Sequence, residues 1–165
     1  GYASLKEKIE IKQVIEDSNQ SVHVDYPFYL LLSERESKDT NDSSIISYFT
    51  YDHLTYLFMG DASKQIEKQL MATYDLKADV IKVGHHGSNT SSDPDFLDSL
   101  DCKVALISCG YKNKYGHPSV ETLKTLENLH INTLCTSDCG SIAMYSLFHF
   151  SFVVTNDGMF GIIWT

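Results

Sequence analysis

The stretch "DVIKVGHHGSNTSSD", residues 79–93, places two adjacent histidines between glycines, directly after a run of apolar β-formers. Neutral imidazoles ligate zinc, manganese or iron, and they also carry protons. A polar loop is the plainer reading of the same residues. Two other segments share the pattern of an apolar run followed by polar or glycine-rich residues: "LFMGDAS" (57–63) and "LISCGYKNKYGHPS" (106–119). In open α/β sheets such strand ends gather around one crevice. Asp61, His85, His86 and His117 can therefore converge from distant places in the chain.

Each residue carries two readings. Asp61 sits where a helix N-cap would sit, and it is equally a carboxylate able to bridge two cations. Adjacent side chains on an extended chain point opposite ways, so one of His85 and His86 is expected to enter the site and the other to support it. Gly84 and Gly87 would let the backbone bend tightly there. His117 precedes a proline at a helix start. It is a cap or, with Asn113 and Tyr115, part of a donor cluster suited to an anion such as phosphate. Ser88, Asn89, Thr90, Ser91 and Ser92 form a hydroxyl-rich loop. His23, His53, His130 and His149 fall on strands or at a helix end and read as structural, with His149 packed between two phenylalanines.

The elements that must position these residues follow from periodicity and punctuation. Residues 2–8 read as a short helical end, and "IEIKQVI" (9–15) alternates as a half-buried strand. "SVHVDYPFYLLL" (21–32) is a β segment bent or edged at Pro27, and 33–44 is a polar loop. "IISYFTY" and "LTYLFMG" predict a hairpin across Asp52-His53. Helices are expected over 61–74, over 93–100 with Asp93 as cap and Pro94 at its first position, and over 117–129. Strands are expected at 78–83, 103–108 and 131–136. "TNDG" between "FSFVV" and "MFGIIW" predicts a C-terminal hairpin turn. Two β units, then helix–strand three times, then more β give an α/β domain: a mixed sheet covered by helices.

At 165 residues with 42% hydrophobic content, the chain suits one globular domain rather than a disordered one. Its net charge of −9 argues against a broad basic surface for nucleic acid, yet leaves room for a local site where metal ions supply positive charge. The four cysteines, Cys102, Cys109, Cys135 and Cys139, lack zinc-site pairing and read as small buried residues. The apolar C-terminal stretch is interrupted too often to reach the roughly 18 residues of a membrane span. The N-terminus has no signal-peptide core and begins with Gly rather than Met, which reads as an excised piece.

Taken together, "NDSSIISYFTYDHLTYLFMGDAS", "DVIKVGHHGSNTSSDPDFL" and "VALISCGYKNKYGHPSVETLKTLENLHI" resemble the metallo-β-lactamase-like domain of the ComEC family of bacterial competence proteins, over about residues 41–140. "KVGHHGS" followed by "YGHPS" is the specific part. The resemblance implies an αββα sandwich with two divalent ions, zinc or manganese, at the strand ends. It implies Asp61 as bridging aspartate, His86 as ligand because it precedes Gly87, and His85 as its neighbour in the metal site. It implies His117 as a catalytic, substrate-facing group beside Asp61, with Ser88, Asn113 and Tyr115 also toward the substrate. The family's His-x-His-x-Asp-His motif is missing from this sequence, and "GYASLKEK" resembles the segment that follows it. Residues 1–165 would then be a single domain truncated at its N-terminal side, inactive and metal-free by itself, since a metal site needs about three protein ligands per ion. The intact protein would act on phosphodiester bonds of DNA during uptake, in partnership with its own transmembrane channel. It would sit in the bacterial cell membrane with this domain outside the cytoplasm. A related hydrolase of another ester (phosphorylcholine esterase or lactonase) and a non-catalytic docking domain are the alternative readings.

Overall fold

A computed structural model describes residues 5–10, 21–23, 25–31, 40–147, 150–158 and 160–163. The strand expected at 9–15, most of the polar loop 33–44 and the packed His149 lie wholly or largely outside the described residues.

Seven strands run in chain order across one sheet: β1 (Ser21–His23), β2 (Pro27–Leu31), β3 (Ile46–Tyr51), β4 (Leu54–Phe58), β5 (Val80–Lys82), β6 (Val104–Ile107) and β7 (Asn132–Cys135). The first four pair antiparallel, and β4 to β7 pair parallel. Parallel neighbours need crossovers, and three helices supply them: α1 (Lys64–Thr73), α2 (Pro94–Leu100) and α3 (Val120–Asn128). A one-turn α4 (Thr136–Cys139) follows β7. A second, antiparallel sheet is built from β8 (Ile142–Leu147), β9 (Phe150–Thr155) and β10 (Phe160–Ile163), with β9 central. The chain is thus α/β with a mixed sheet, as the element order predicts.

The period of two along the strands sorts side chains into two cores. Leu57, Ile81, Ala105 and Ile107 join Ile66 and Leu70 of α1, Phe96, Leu97 and Leu100 of α2, and Leu126 of α3. Their alternates Leu54, Tyr56, Val80 and Val104 pack with Val153 and Ile163 of the second sheet. The parallel strands are covered on both faces, so "VALI" carries no polar alternation. Phe28, Phe49 and Tyr56 stack across three strands on the second face, with ring centroids 5.0 Å apart at each step.

The hairpin expected at 45–60 forms, with Tyr51 opposite Leu54 across a two-residue turn in which Asp52 takes φ 54°. Asp93 caps α2 by accepting from the Asp95 amide, and Pro94 opens the helix as expected. Three expectations need correction. The segment 21–32 is two antiparallel strands, β1 and β2, and Pro27 begins the second. The α1 cap is Ser63, whose hydroxyl accepts from Gln65 N, and not Asp61. The α3 cap is Ser119, accepting from Thr122 N, and not His117.

Candidate functional site: the ends of β4, β5 and β6

Three strand-end loops are bonded to one another. The amide of His85 donates to Gly60 O at 3.0 Å, and that of Ser119 donates to Gly87 O at 2.8 Å. Gly87 takes φ +78°, and a Cβ on it would lie 2.8 Å from Pro118 Cβ. A side chain there would push the histidine loop away from the His117 segment.

The histidine loop is not extended. Gly84–Gly87 forms a tight turn in which His85 (φ 45°) and His86 (φ 56°) are both left-handed. The rule that neighbours point apart therefore fails, and both rings stay on one side. Their centroids are 6.3 Å apart, and His85 lies 5.8 Å from His117. Left-handed backbone at two successive non-glycine residues is costly, and such strain tends to gather at functional sites.

His86 Nδ1 lies 2.6 Å from the Ser108 carbonyl, which only accepts, so Nδ1 carries the proton. Its Nε2 lies 3.6 Å from Asp61 Oδ1. That is beyond an ordinary hydrogen bond. Two ligands at 2.0–2.2 Å on a tetrahedral ion sit about 3.4 Å apart, so the pair has the spacing of two donors sharing a cation. Anchoring the far ring nitrogen on a carbonyl is how metal-binding histidines are oriented. Among the described residues, no group of three or more such side chains gathers in metal-binding geometry. The donors Asp61 and His86 fit an ion but fill only part of its coordination sphere.

Freed from capping, Asp61 is set by its neighbours. Its amide donates to Ser44 Oγ at 3.0 Å, and Asp42, itself buried, takes the Ser63 amide at 3.2 Å. His85 Nδ1 meets Thr90 Oγ1 at 3.2 Å, and that hydroxyl donates to Ser88 Oγ at 3.0 Å. Ser88 is buried, 4% exposed, and its carbonyl also accepts from Ser91 and Thr122. It supports His85 from within the loop.

Asn113 is fully committed. Its amide nitrogen donates to Gly110 O and His117 O, and its oxygen accepts from the amides of Tyr115 and His117. It shapes the 110–117 loop and has no bond to spare for a ligand. Tyr115 is 70% exposed and stacks on His117 at 5.9 Å, with the rings 17° from parallel. His117 Nδ1 is buried with no hydrogen-bond partner among the described residues. Desolvation, then the charges of His85 and His86, lower the His117 pKa and favour the neutral ring. Together His86, Cys109, Gly110, Asn113, Tyr115 and His117 line a cavity of about 210 Å³.

Four contributors escape sequence reasoning. Ser108 acts through its carbonyl, which no residue type reveals. Ser44 acts through a contact 17 residues away. Lys82 ends β5, where burial lowers its pKa and Asp61 partly offsets that. Cys109 lines the cavity although its residue type suggested only packing.

The fold and site define an α/β mixed-sheet protein with an Asp–His cluster at the ends of its central strands. Over 120 residues, 72% of the chain, it is 35% identical to ComE operon protein 3 of Bacillus subtilis (strain 168). It is 33% identical over 126 residues, 75% of the chain, to competence protein ComA of Neisseria gonorrhoeae. Recombination protein 2 of Haemophilus influenzae matches at 39% over 70 residues, 42% of the chain and 9% of that protein. These relatives support a competence-protein family for the chain. The matched stretch spans only 16% and 18% of the first two relatives' own length. No family model matches the chain. No helix among the described residues is long and apolar enough to cross a membrane.

Proposed function

We propose that this chain forms part of a metallo-β-lactamase-like αββα sandwich of the ComEC family, and that the intact domain hydrolyses phosphodiester bonds of DNA during uptake. The observation that carries the reading is the 3.6 Å approach of Asp61 Oδ1 to His86 Nε2, with His117 alongside. When bound, two divalent ions, zinc or manganese, would activate water and neutralise phosphate oxygens. Asp61 and His86 would hold one edge of that site, with the remaining ligands supplied from outside the described residues. His85, its Nδ1 tied to Thr90, stands beside them, its ring 6.3 Å from that of His86 and 5.8 Å from that of His117.

His117 is disposed toward neutrality, so its first task is to hydrogen-bond a phosphate oxygen rather than to deliver a proton as imidazolium. Tyr115 walls the cavity and offers an exposed ring to a base, and Lys112 and Lys114 bring positive charge to this loop of an acidic chain. The whole protein would lie in the bacterial membrane beside its transmembrane channel, with this domain outside the cytoplasm and DNA as partner.

The test is substrate profiling of the full protein that carries this segment. Chelator-sensitive cleavage of DNA, restored by manganese or zinc, is expected. Cleavage of small esters with none of DNA would replace this reading with the second one, which the modest 210 Å³ cavity favours. Tyr115→Ala is expected to raise KM for single-stranded DNA by about 5- to 150-fold, the worth of one base–aromatic stack, with a much smaller effect on a small phosphodiester. Equal effects on both substrates would rule out a base platform.

A further inference from the structure

Cys109 and Cys135 stand at the ends of neighbouring parallel strands, where Ile107 is in register with Cys135. Both thiols are free, and their Sγ atoms lie 3.2 Å apart. A disulfide needs about 2.05 Å, so roughly 1 Å of approach would join them. The two backbones are already clamped. Thr136 Oγ1 accepts from Cys109 N at 3.0 Å and donates to Cys109 O at 2.9 Å. The two sulfurs differ in access. Cys109 lines the cavity beside His86 and His117, whereas Cys135 is 6% exposed. Cys139, the third thiol of this corner, donates to Cys135 O at 3.0 Å. Ser108, immediately before Cys109, supplies the carbonyl that holds His86 Nδ1.

We propose that Cys109 and Cys135 are a reversible dithiol–disulfide pair that braces the strand end holding His86. The pair is independent of whether the site hydrolyses DNA. With glutathione disulfide as oxidant, the Cys109 thiolate attacks one glutathione sulfur, forming a mixed disulfide and releasing one glutathione thiolate. The Cys135 thiolate then attacks the Cys109 sulfur and expels the second. The two cysteines lose two electrons and two protons, and glutathione disulfide becomes two glutathiones. Burial raises the Cys135 thiol's pKa and so reduces the thiolate fraction available to this second step. Once closed, the bridge ties Cys109 to β7 and leaves the Ser108 carbonyl less freedom to move.

The test is oxidation of the folded chain by glutathione disulfide, followed by thiol counting and peptide mapping. Reactive thiols are expected to fall from four to two, with a Cys109–Cys135 linked peptide that dithiothreitol removes. Cys102→Ser and Cys139→Ser variants should form the same bridge, and Cys109→Ser should form none. The oxidised chain should melt about 5–10 °C higher, as expected for closing a loop of this length. It should also exchange the His86 Nδ1 proton more slowly in NMR. Four persisting thiols, a stable Cys109–glutathione adduct, or Cys135 linked to Cys139 would overturn the pair. A correct bridge with unchanged His86 exchange would overturn the bracing.

Discussion

Asp61→Ala in the full protein is expected to lower metal-dependent cleavage of DNA by more than about 100-fold and to leave the fold intact. Supporting groups outside the ligand shell already cost about 10–100-fold in metal affinity or activity when removed, and a bridging carboxylate should cost more. The fold should tolerate the change because Asp61 does not cap α1; Ser63 does. The contact Asp61 makes to Ser44 uses its backbone amide, which alanine retains. Loss of activity with an unchanged melting temperature is the expected pair of results. A variant cleaving DNA at the parent rate would remove Asp61 from the chemistry. A variant that loses both activity and stability equally would make it a structural residue.

Glu67→Ala is expected to be the most damaging change to stability, although Glu67 touches none of the site residues. It lies on α1 and is 1% exposed. Its two oxygens accept from Ser92 N at 2.8 Å and Asp93 N at 2.7 Å. They hold the end of the loop that begins with the two histidines, at a point where Ser92 takes φ 68°. Alanine would orphan two buried amides, each worth about 1–3 kcal/mol, and leave a cavity. A cost of about 4 kcal/mol at pH 5 is expected from denaturant unfolding.

That cost should depend on pH. Burial pushes the Glu67 carboxyl up from 4.5 to about 7, against the pull of the two backbone amides. Between those values the folded chain keeps a proton that the unfolded chain has released. The contribution of Glu67 is therefore complete below about pH 4.5 and is lost as pH rises through about 7. The loss is about 3 kcal/mol. The difference between parent and Glu67→Ala should shrink by most of that amount, about 2–3 kcal/mol, from pH 5 to pH 8. A pH-independent difference would mean that Glu67 stays ionised throughout.

Local signals account for what the sequence made legible. The hairpin at 45–60 follows from two apolar runs and a two-residue gap. The α2 start follows from Asp93-Pro94, a cap and a first-turn proline acting within the same few residues. The convergence of Asp61, His85, His86 and His117 followed from their common position after apolar strands.

What escaped the sequence depends on distant partners. Asp61 and Ser63 are both good capping residues two positions apart. The choice between them involves Ser44 and Asp42, which precede the neighbouring strand β3 and engage the amides of Asp61 and Ser63. The histidine pair was read as extended. Packing of Gly87 against Pro118 and the Ser119–Gly87 hydrogen bond favour a left-handed turn that keeps both rings together. Ser88 and Asn113 look available as sequence, but Thr90 and the 110–117 backbone engage their polar atoms. Composition alone gives no sign that two of the cysteines meet, or that one of them, Cys109, lines the cavity.

The most direct measurement is an anomalous-scattering map of the full protein crystallised with manganese or zinc. A peak is expected within about 2.0–2.2 Å of both an Asp61 carboxylate oxygen and His86 Nε2, with His86 Nδ1 still on the Ser108 carbonyl. A fully occupied metal held elsewhere, or a site left without a peak at saturating metal, would contradict it.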